Sequence, residues 1–308
     1  MESMNNPFVS IVINTRNRCK ILPRAIESVL IQTYTNFELI IVDGASTDST
    51  REIALSYCNI DQRIKYLFIE ENRNGAYCLN LGFKSAKGKY IAVLDDDDEF
   101  LPTKIEKQVQ WMESASTNIG ILYCWDKVWD DKENRLIRER MICNRGNLYS
   151  KLLNGPCTGA SSEMMITKEA IEKVGGWDET IAFGADYQFN LNVSEFFDHD
   201  FVPEILVITH WNHEYVALTT QKNGNVRCDF VIEYYQKILS DHKQGFDKQP
   251  YSRFWHYKGI ISAALRSKQY KIARKYFSAG IHSNVSLILK LKFIYQVTKR
   301  VLLSFLGF

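Results

Sequence analysis

Tyr90-Ile91-Ala92-Val93-Leu94-Asp95-Asp96-Asp97-Asp98 is the stretch on which the reading of the fold turns. An apolar run of this length predicts a strand buried on both faces of a parallel sheet. Carboxylates at its carboxyl end fall in the crevice where open α/β sheets bind ligands. Four like charges in a row repel one another unless water or a cation compensates them. Hard divalent cations prefer carboxylate and phosphate oxygens, and Mg²⁺ is usually held by one or two carboxylates together with substrate phosphates. An isolated Asp run reads equally well as a solvated acidic turn, so the surrounding pattern decides between the two.

Upstream, strand and helix signals alternate at short intervals. Phe8 to Ile13 reads as a strand, and Ile21 to Thr33 has helical spacing with Pro23 in its first turn. Phe37 to Val42 is a second strand, and Ser46-Thr47-Asp48-Ser49-Thr50 supplies capping residues for a helix reaching about Tyr57. Ile64 to Ile69 makes a third strand, Ala76 to Ala86 a helix, and Lys89 to Leu94 the fourth strand. Strands separated by helices of this length imply βαβ units and a mostly parallel, Rossmann-like sheet flanked by helices. Pro102 opens a further helix to about Ser114, and from Gly120 to about Val207 strands and helices mix less regularly. The expected organisation is one α/β domain over residues 1–222, with a donor half to about 118 and an acceptor half from about 119. A helical extension follows over 223–308.

In that extension Trp255 to Leu265 and Tyr270 to Ile281 read as a helical hairpin. Ala273, Tyr276 and Phe277 have a tetratricopeptide-like spacing, but a single unit is not a repeat array. The last segment, Leu287 to Phe308, lines up Leu287, Leu291, Ile294, Val301 and Phe305, with Lys292, Gln296 and Lys299 opposite and Lys290 and Arg300 between. A basic amphipathic helix of this kind fits an anionic membrane surface, and it fits docking on its own protein equally well.

Composition narrows the class. With 45% hydrophobic and 24% charged residues and a net charge of +2, the chain reads as a well-cored soluble protein with no call for a nucleic-acid partner. The start lacks the basic end and apolar core of a secretory signal. No stretch approaches the ~18–20 uncharged apolar residues of a spanning helix, so the expected location is cytoplasmic, with peripheral membrane contact open. Seven scattered cysteines (19, 58, 78, 124, 143, 157, 228) with no CxxC pair read as reduced core filler.

The chain resembles the family 2 glycosyltransferases with the GT-A fold. The resemblance runs through Val9-Ser10-Ile11-Val12-Ile13-Asn14-Thr15-Arg16-Asn17-Arg18, Ala25 to Tyr34 and Glu38 to Asp48. It continues through Ala86-Lys87-Gly88-Lys89-Tyr90-Ile91 into the Asp run. Later, Val174-Gly175-Gly176-Trp177-Asp178-Glu179 and Gly184-Ala185-Asp186-Tyr187 are similar to the acceptor-side motif. The match is continuous over about 215 residues and its parts come in the family's order, which is more specific than any single motif.

The resemblance implies site residues. Asn14, Arg16 and Asp43 occupy the positions that hold nucleotide base and ribose. Arg16 stands where the family often has an aromatic residue, and a guanidinium plane can also stack on a base. Gly44 replaces a frequent second aspartate, which leaves uridine, guanosine and thymidine donors open. In the family's DxD pattern Asp95 approaches the ribose and Asp97 binds a divalent cation, Mn²⁺ or Mg²⁺. Asp96, counted with the nucleotide-sugar contacts, and Asp98 shape the local field. The register within the homopolymeric run is open by one residue. Asp186 matches the catalytic base, although a carboxylate at a helix start also reads as a cap. Asp178 and Glu179 read as structural or acceptor-contacting. His213 matches a late metal ligand better than His210, and a structural histidine is the competing reading.

The implied activity is inverting, metal-dependent transfer of a hexose-type sugar. The donor is a nucleoside diphosphate sugar, UDP-linked in the first instance. The acceptor is a hydroxyl of a glycan or a lipid-linked molecule in surface polysaccharide assembly. A sugar-phosphate nucleotidyltransferase would call for a glycine-rich loop after the first strand, which Asn14 to Arg18 lacks. A non-catalytic nucleotide-sugar or glycan-binding module on the same scaffold is the third reading.

Overall fold

The computed structural model describes residues 6–116, 118–181, 184–213 and 227–305. The chain forms two compact units. The first comprises Met1–Leu148, Cys157–Glu179 and Ala185–Tyr215; the second comprises Tyr149–Pro156, Thr180–Gly184 and Val216–Phe308. The sequence-predicted boundary at 222–223 lies outside the described residues.

The first unit opens with β1 (Val9–Thr15), α1 (Leu22–Leu30), β2 (Phe37–Gly44), α2 (Thr50–Ile60), β3 (Ile64–Ile69), α3 (Gly75–Ser85) and β4 (Tyr90–Asp95). These four strands are parallel in the order β3-β2-β1-β4. Then follow β5 (Glu99–Phe100), α4 (Lys104–Ser114), β6 (Ile119–Asp130) and β7 (Arg135–Arg140). In the second unit α5 (Tyr149–Leu152) comes next; the first unit resumes with a 3₁₀ turn at Ser161–Glu163, β8 (Met165–Thr167), α6 (Lys168–Val174), α7 (Ala185–Val193) and β9 (Asp198–Trp211). β8 joins β4 antiparallel and extends the sheet through β6 and β9 to β5, while β7 pairs on β6.

Along each central strand the buried side chains alternate between two faces. Ile11, Ile13, Leu39, Ile41, Ala92 and Leu94 pack with Ala25, Ile26 and Val29 of α1 and Ile105 and Val109 of α4. Val12, Ile40, Val42, Ile91 and Val93 pack on the opposite face with α3, α6 and α7. The period of two in burial on both faces is what a near-continuous apolar run means in a covered parallel sheet. α1 ends at Leu30, three residues before the sequence pattern does, because the Thr33 amide donates to Pro102 O at 2.8 Å and leaves the helical ladder. Gly82 lets α3 lie directly on β1: a Cβ there would come within 2.4 Å of Val12 Cγ1.

The second unit is helical: α8 (Cys228–Asp241), α9 (Lys243–Lys248), α10 (Arg253–Arg266), α11 (Tyr270–Ile281) and α12 (Leu287–Phe305). The α10–α11 hairpin is as the sequence pattern predicts, with Ala273 buried. Phe293 of α12 is its packing centre, stacked on Phe254 at 4.7 Å and Phe277 at 6.1 Å between ring centroids. The predicted stripe on the last helix divides. Ile294 packs inward beside Phe293 and Val297, while Leu287 and Leu291 face solvent. The side chains of Val301 and Phe305 lie outside the described residues. Among the described residues no helix is long and apolar enough to cross a membrane.

Two predictions follow from this packing. Gly82→Ala trades a gain in helix propensity against forced overpacking of β1, for an expected net loss of about 1–2 kcal/mol, read as a lower urea midpoint. His199 and His256 are buried, and burial holds each imidazole down at about 4 against an ordinary 6.5. The unfolded chain therefore takes up protons between pH 6.5 and 4 that the folded chain refuses. The penalty from these two sites is absent above about pH 6.5 and grows, by up to about 1.4 kcal/mol per pH unit for each histidine, as pH drops through that window. Buried carboxyls titrate in the same range with the opposite sign, so the check is a difference: the urea midpoint of His199→Gln relative to the parent should rise in the order pH 7.5, 6, 5.

Candidate active site

The carboxyl ends of β1, β2 and β4 lie side by side because the strands are parallel and in register. Asn14 is level with Val42 on one side and Asp95 on the other, and Thr15 with Asp43. That register brings the predicted nucleotide residues to one edge. α3 begins against them, since a Cβ on Gly75 would sit 3.3 Å from Asn14 Nδ2. Arg16 Nη1 donates to Asn72 Oδ1, while its buried Nε has no protein partner among the described residues. Asp43 is fully buried, accepting the Ser46 amide at 2.8 Å on Oδ1 and the Tyr66 hydroxyl at 2.7 Å on Oδ2. One oxygen thus shapes the loop after β2 and the other ties it to β3.

Of the residues predicted to cap α2, Asp48 accepts the amide of Thr50, the first helical residue, at 3.0 Å on Oδ1, and the rest turn elsewhere. Ser49 makes no side-chain cap. Instead Ser46 Oγ accepts the Asn17 amide (2.9 Å), Thr50 Oγ1 the Arg18 amide (2.9 Å) and Asp48 Oδ2 the Cys19 amide (3.3 Å). Asn17 Oδ1 accepts the Thr47 amide in return at 2.7 Å. The loop after β1 is zipped to the loop after β2 by side chains from both.

The four aspartates separate into distinct environments. Asp98 is a structural anchor: it accepts the Ser162 hydroxyl at 2.6 Å and the His210 amide at 3.1 Å. Ser162 Oγ also takes the Asp95 amide at 3.1 Å, so one hydroxyl spans both ends of the run. Asp96 has Arg18 Nε at 3.8 Å. Burial, then repulsion from Asp97, pushes the Asp96 carboxyl up to about 7 against the pull of Arg18. Asp95 is also held well above the ordinary range, by burial first and then by the charges of Asp98, Asp97, Asp96 and Asp186. Asp97 alone is lowered. Burial would raise it, but the hydrogen bond and charge of His213, with Arg18, outweigh that. His213 Nε2 lies 3.1 Å from Asp97 Oδ2.

Asp97 is also held from behind. Arg24 Nη2 donates to its carbonyl at 2.8 Å and Arg24 Nη1 pairs with Asp131 at 3.1 Å. His210 places Nδ1 2.5 Å from Asp131 and Nε2 2.7 Å from Glu99. Its place between them makes His210 a brace rather than a ligand.

Asp186 stands in the first turn of α7, and its charge reaches Asp95. Burial raises its carboxyl above the ordinary aspartate value, against the backbone N–H bonds it accepts. Glu179 is structural: its carboxylate accepts Asn80 Nδ2 at 2.8 Å, and Asn80 also clamps both the amide and carbonyl of Trp177. Gly176, at φ +84°, passes so close that a Cβ would meet Asn80 Oδ1 at 2.4 Å. Arg18, Arg24 and Ser162 were missed as site residues. Arg18 lies inside the quoted β1 motif, whereas nothing in the sequence marks Arg24 or Ser162.

Among the described residues no three His, Cys, Asp or Glu side chains form a ready-made metal cage. Asp97 and His213 offer one oxygen and one nitrogen toward each other. That donor set fits a divalent ion that keeps waters and substrate phosphates for its remaining positions.

The sequence model of glycosyl transferase family 2 matches residues 10–175, more than half of the chain. An uncharacterized glycosyltransferase of Rickettsia prowazekii is 33% identical over 212 residues, 65% of this chain and 64% of that protein. A Bacillus subtilis protein provisionally named as a teichuronic acid biosynthesis glycosyltransferase is 39% identical over 110 residues, 36% of this chain and 44% of its own. The chain thus spans less than two thirds of the length of these relatives. Among solved structures, residues 1–349 of S. aureus TarS in complex with UDP-GlcNAc match with a TM-score of 0.62 at 14% identity, over 88% of this chain and 90% of that one. The mannosyltransferase PcManGT of Pyrobaculum calidifontis, in complex with GDP-Man and Mn²⁺, matches at 0.59 and 16% identity, over 96% and 81%. At such identities the likeness speaks for the fold, which is that of the GT-A glycosyltransferases. With the ordered strand-end motifs, the architecture and the family match in agreement, the chain belongs to glycosyl transferase family 2.

Proposed function

We propose that the protein is an inverting, divalent-cation-dependent glycosyltransferase. It moves a hexose from a nucleoside diphosphate sugar, UDP-linked in the first instance, to a hydroxyl of a glycan or lipid-linked acceptor in surface polysaccharide synthesis. The observation that carries this reading is the approach of Asp97 Oδ2 to His213 Nε2 at 3.1 Å, at the strand edge where the charge of Asp186 also reaches Asp95. Relatives lend support: TarS is solved with UDP-GlcNAc, PcManGT with GDP-Man and Mn²⁺, and a Bacillus relative is named for teichuronic acid synthesis.

Asn14, Arg16 and the Asp43-braced loop take the base and ribose, with Asp95 and Asp96 beside the ribose and diphosphate. Asp97 and His213 would hold the cation, which neutralises charge growing on the departing nucleoside diphosphate. Asp186 takes the proton from the acceptor hydroxyl as its oxygen attacks the anomeric carbon and the bond to the diphosphate breaks. One displacement inverts the anomeric centre, the same geometry that makes single-step glycoside hydrolysis inverting. A raised carboxyl suits a base, since proton affinity rises with it. A lipid-linked acceptor extends the proposal to peripheral contact with the cytoplasmic face of a membrane.

A panel of nucleotide-sugars with Mn²⁺ or Mg²⁺, read by thermal shift and then by donor turnover, tests the class; no response from any donor refutes it. Asp97→Ala should abolish metal-dependent tightening of nucleotide binding and most turnover while leaving the fold intact. Activity insensitive to chelator would overturn the cation assignment, and an inactive Asp96→Ala beside an active Asp97→Ala would shift the register.

Asp186→Asn keeps size and polarity but cannot accept a proton. Donor binding should stay near that of the parent while transfer falls by roughly 10²–10⁴-fold. The parent's rate should fall on the acid side through a midpoint above the ordinary aspartate value, and the variant's residual rate should lack that limb. If Asp186 merely caps α7, Asn serves equally well and transfer is unchanged.

A further inference from the structure

All 36 acidic residues of the chain lie at or before Asp247. The 61 residues beyond it carry twelve Lys and Arg and no Asp or Glu, whereas the first 247 carry 26 basic against 36 acidic residues. The near-neutral total conceals two regions of opposite sign. Charge segregation of this kind marks a region that meets a polyanionic surface.

α12 shows what sort of surface. One side is occupied: Phe293 and Val297 are buried and Ile294 and Leu289 pack against α10 and α11. The side turned away is also apolar. Leu287, Ile288, Leu291 and Tyr295 are 70%, 67%, 55% and 66% exposed, the largest such cluster on any helix of the second unit. Helical spacing puts Lys292 and Lys299 along one border of this stripe and Lys290 along the other. Packing on its own protein satisfies the opposite side of the helix and leaves this one without a role.

We propose that this outer face of α12 is an in-plane docking surface for an anionic lipid bilayer. The apolar side chains enter the headgroup boundary and the flanking lysines reach back to lipid phosphates. The face differs from the stripe drawn from sequence, because Ile294 is excluded and Ile288 and Tyr295 are included. A second copy of the chain is the weaker occupant, since it would set one acid-free basic region against another. Nucleic acid would match the charge but leave four exposed apolar side chains unused. The inference stands apart from the transfer reaction, and its test uses neither donor nor acceptor.

The test is co-sedimentation of the full-length protein with vesicles of phosphatidylcholine, with and without phosphatidylglycerol. The parent should bind the anionic vesicles and be released as salt rises. L291S/Y295S changes only exposed positions, so its melting temperature should be unchanged while its partitioning falls at least about ten-fold. Lys292→Glu with Lys299→Glu should weaken binding further than an equal rise in salt does. A parent that ignores anionic vesicles, or an L291S/Y295S variant that binds as well as the parent, overturns the proposal. So does a parent dimer in light scattering that this variant converts to monomer, which would assign the face to a second copy. Duplex DNA binding as tight as vesicle binding, and unaffected by L291S/Y295S, would reduce the region to a general polyanion contact.

Discussion

Four carboxylates at the end of one buried strand repel one another, and much of the polar architecture of the first unit consists of their partners. Asp98 is neutralised by geometry, held by a hydroxyl and a backbone amide. Asp96 has Arg18, and Asp97 has His213. Asp95 has no cation of its own among the described residues and sits in the summed field of the others and Asp186. Asp95 to Asp97 form the edge at which the proposed cation and diphosphate would complement one another electrostatically. Without the braces, burial at this edge would be too costly to maintain the close spacing of the carboxylates.

The braces themselves rest on a buried polar layer. Ser162 is positioned by the 3₁₀ turn, whose Glu163 accepts the Ala160 amide at 2.9 Å and Arg140 Nη2 at 3.0 Å. Arg140 also clasps Asp126, which accepts the Thr209 hydroxyl at 2.8 Å. From α4, Gln108 donates to the Glu163 carbonyl at 2.9 Å and receives the fully buried Lys104 at 2.7 Å. Burial holds the Lys104 ammonium down at about 8. Such a network contributes little net stability, but each member left without its partner is expensive. It fixes where Ser162 stands, and through Ser162 the spacing of Asp95 and Asp98.

The fold was legible because local and long-range demands agree along the first hundred residues. Val9 to Ile13, Phe37 to Val42 and Tyr90 to Leu94 are buried at every position, and apolar at all but Ser10 and Glu38, since both faces of each strand are covered. The strand-end residues were legible for the same reason, as register brings together whatever follows each strand. Asp97 and His213 could be paired in advance solely through the resemblance, being 116 positions apart. Contacts such as Arg24 to the Asp97 carbonyl, Ser162 to Asp98 and Asn80 to Trp177 join single polar residues across long separations and leave no periodic trace. The capping segment Ser46 to Thr50 was read only in part, since Asp48 accepts the Thr50 amide while the others do not cap, for a related reason. Its hydroxyls and carboxylate are the right groups for a helix start, but a neighbouring loop of the sheet competes for them more effectively. On α12 the sequence shows one broad apolar surface, and only packing against Phe254 and Phe277 separates an inner face from an outer one.

The zipper between the loops after β1 and β2 has a consequence for how donor preference can change. Asn17 and Thr47, Ser46 and Asn17, Thr50 and Arg18 are reciprocal pairs, so neither loop has a conformation independent of the other. A substitution in one that suits a different base is felt by the other as a lost partner, and the two effects do not add. On the proposed reading, in which these loops take the base, nucleotide selectivity would therefore belong to the two segments jointly. Grafting either loop alone would remove the partners of the other, whereas exchanging both as a block would keep them paired.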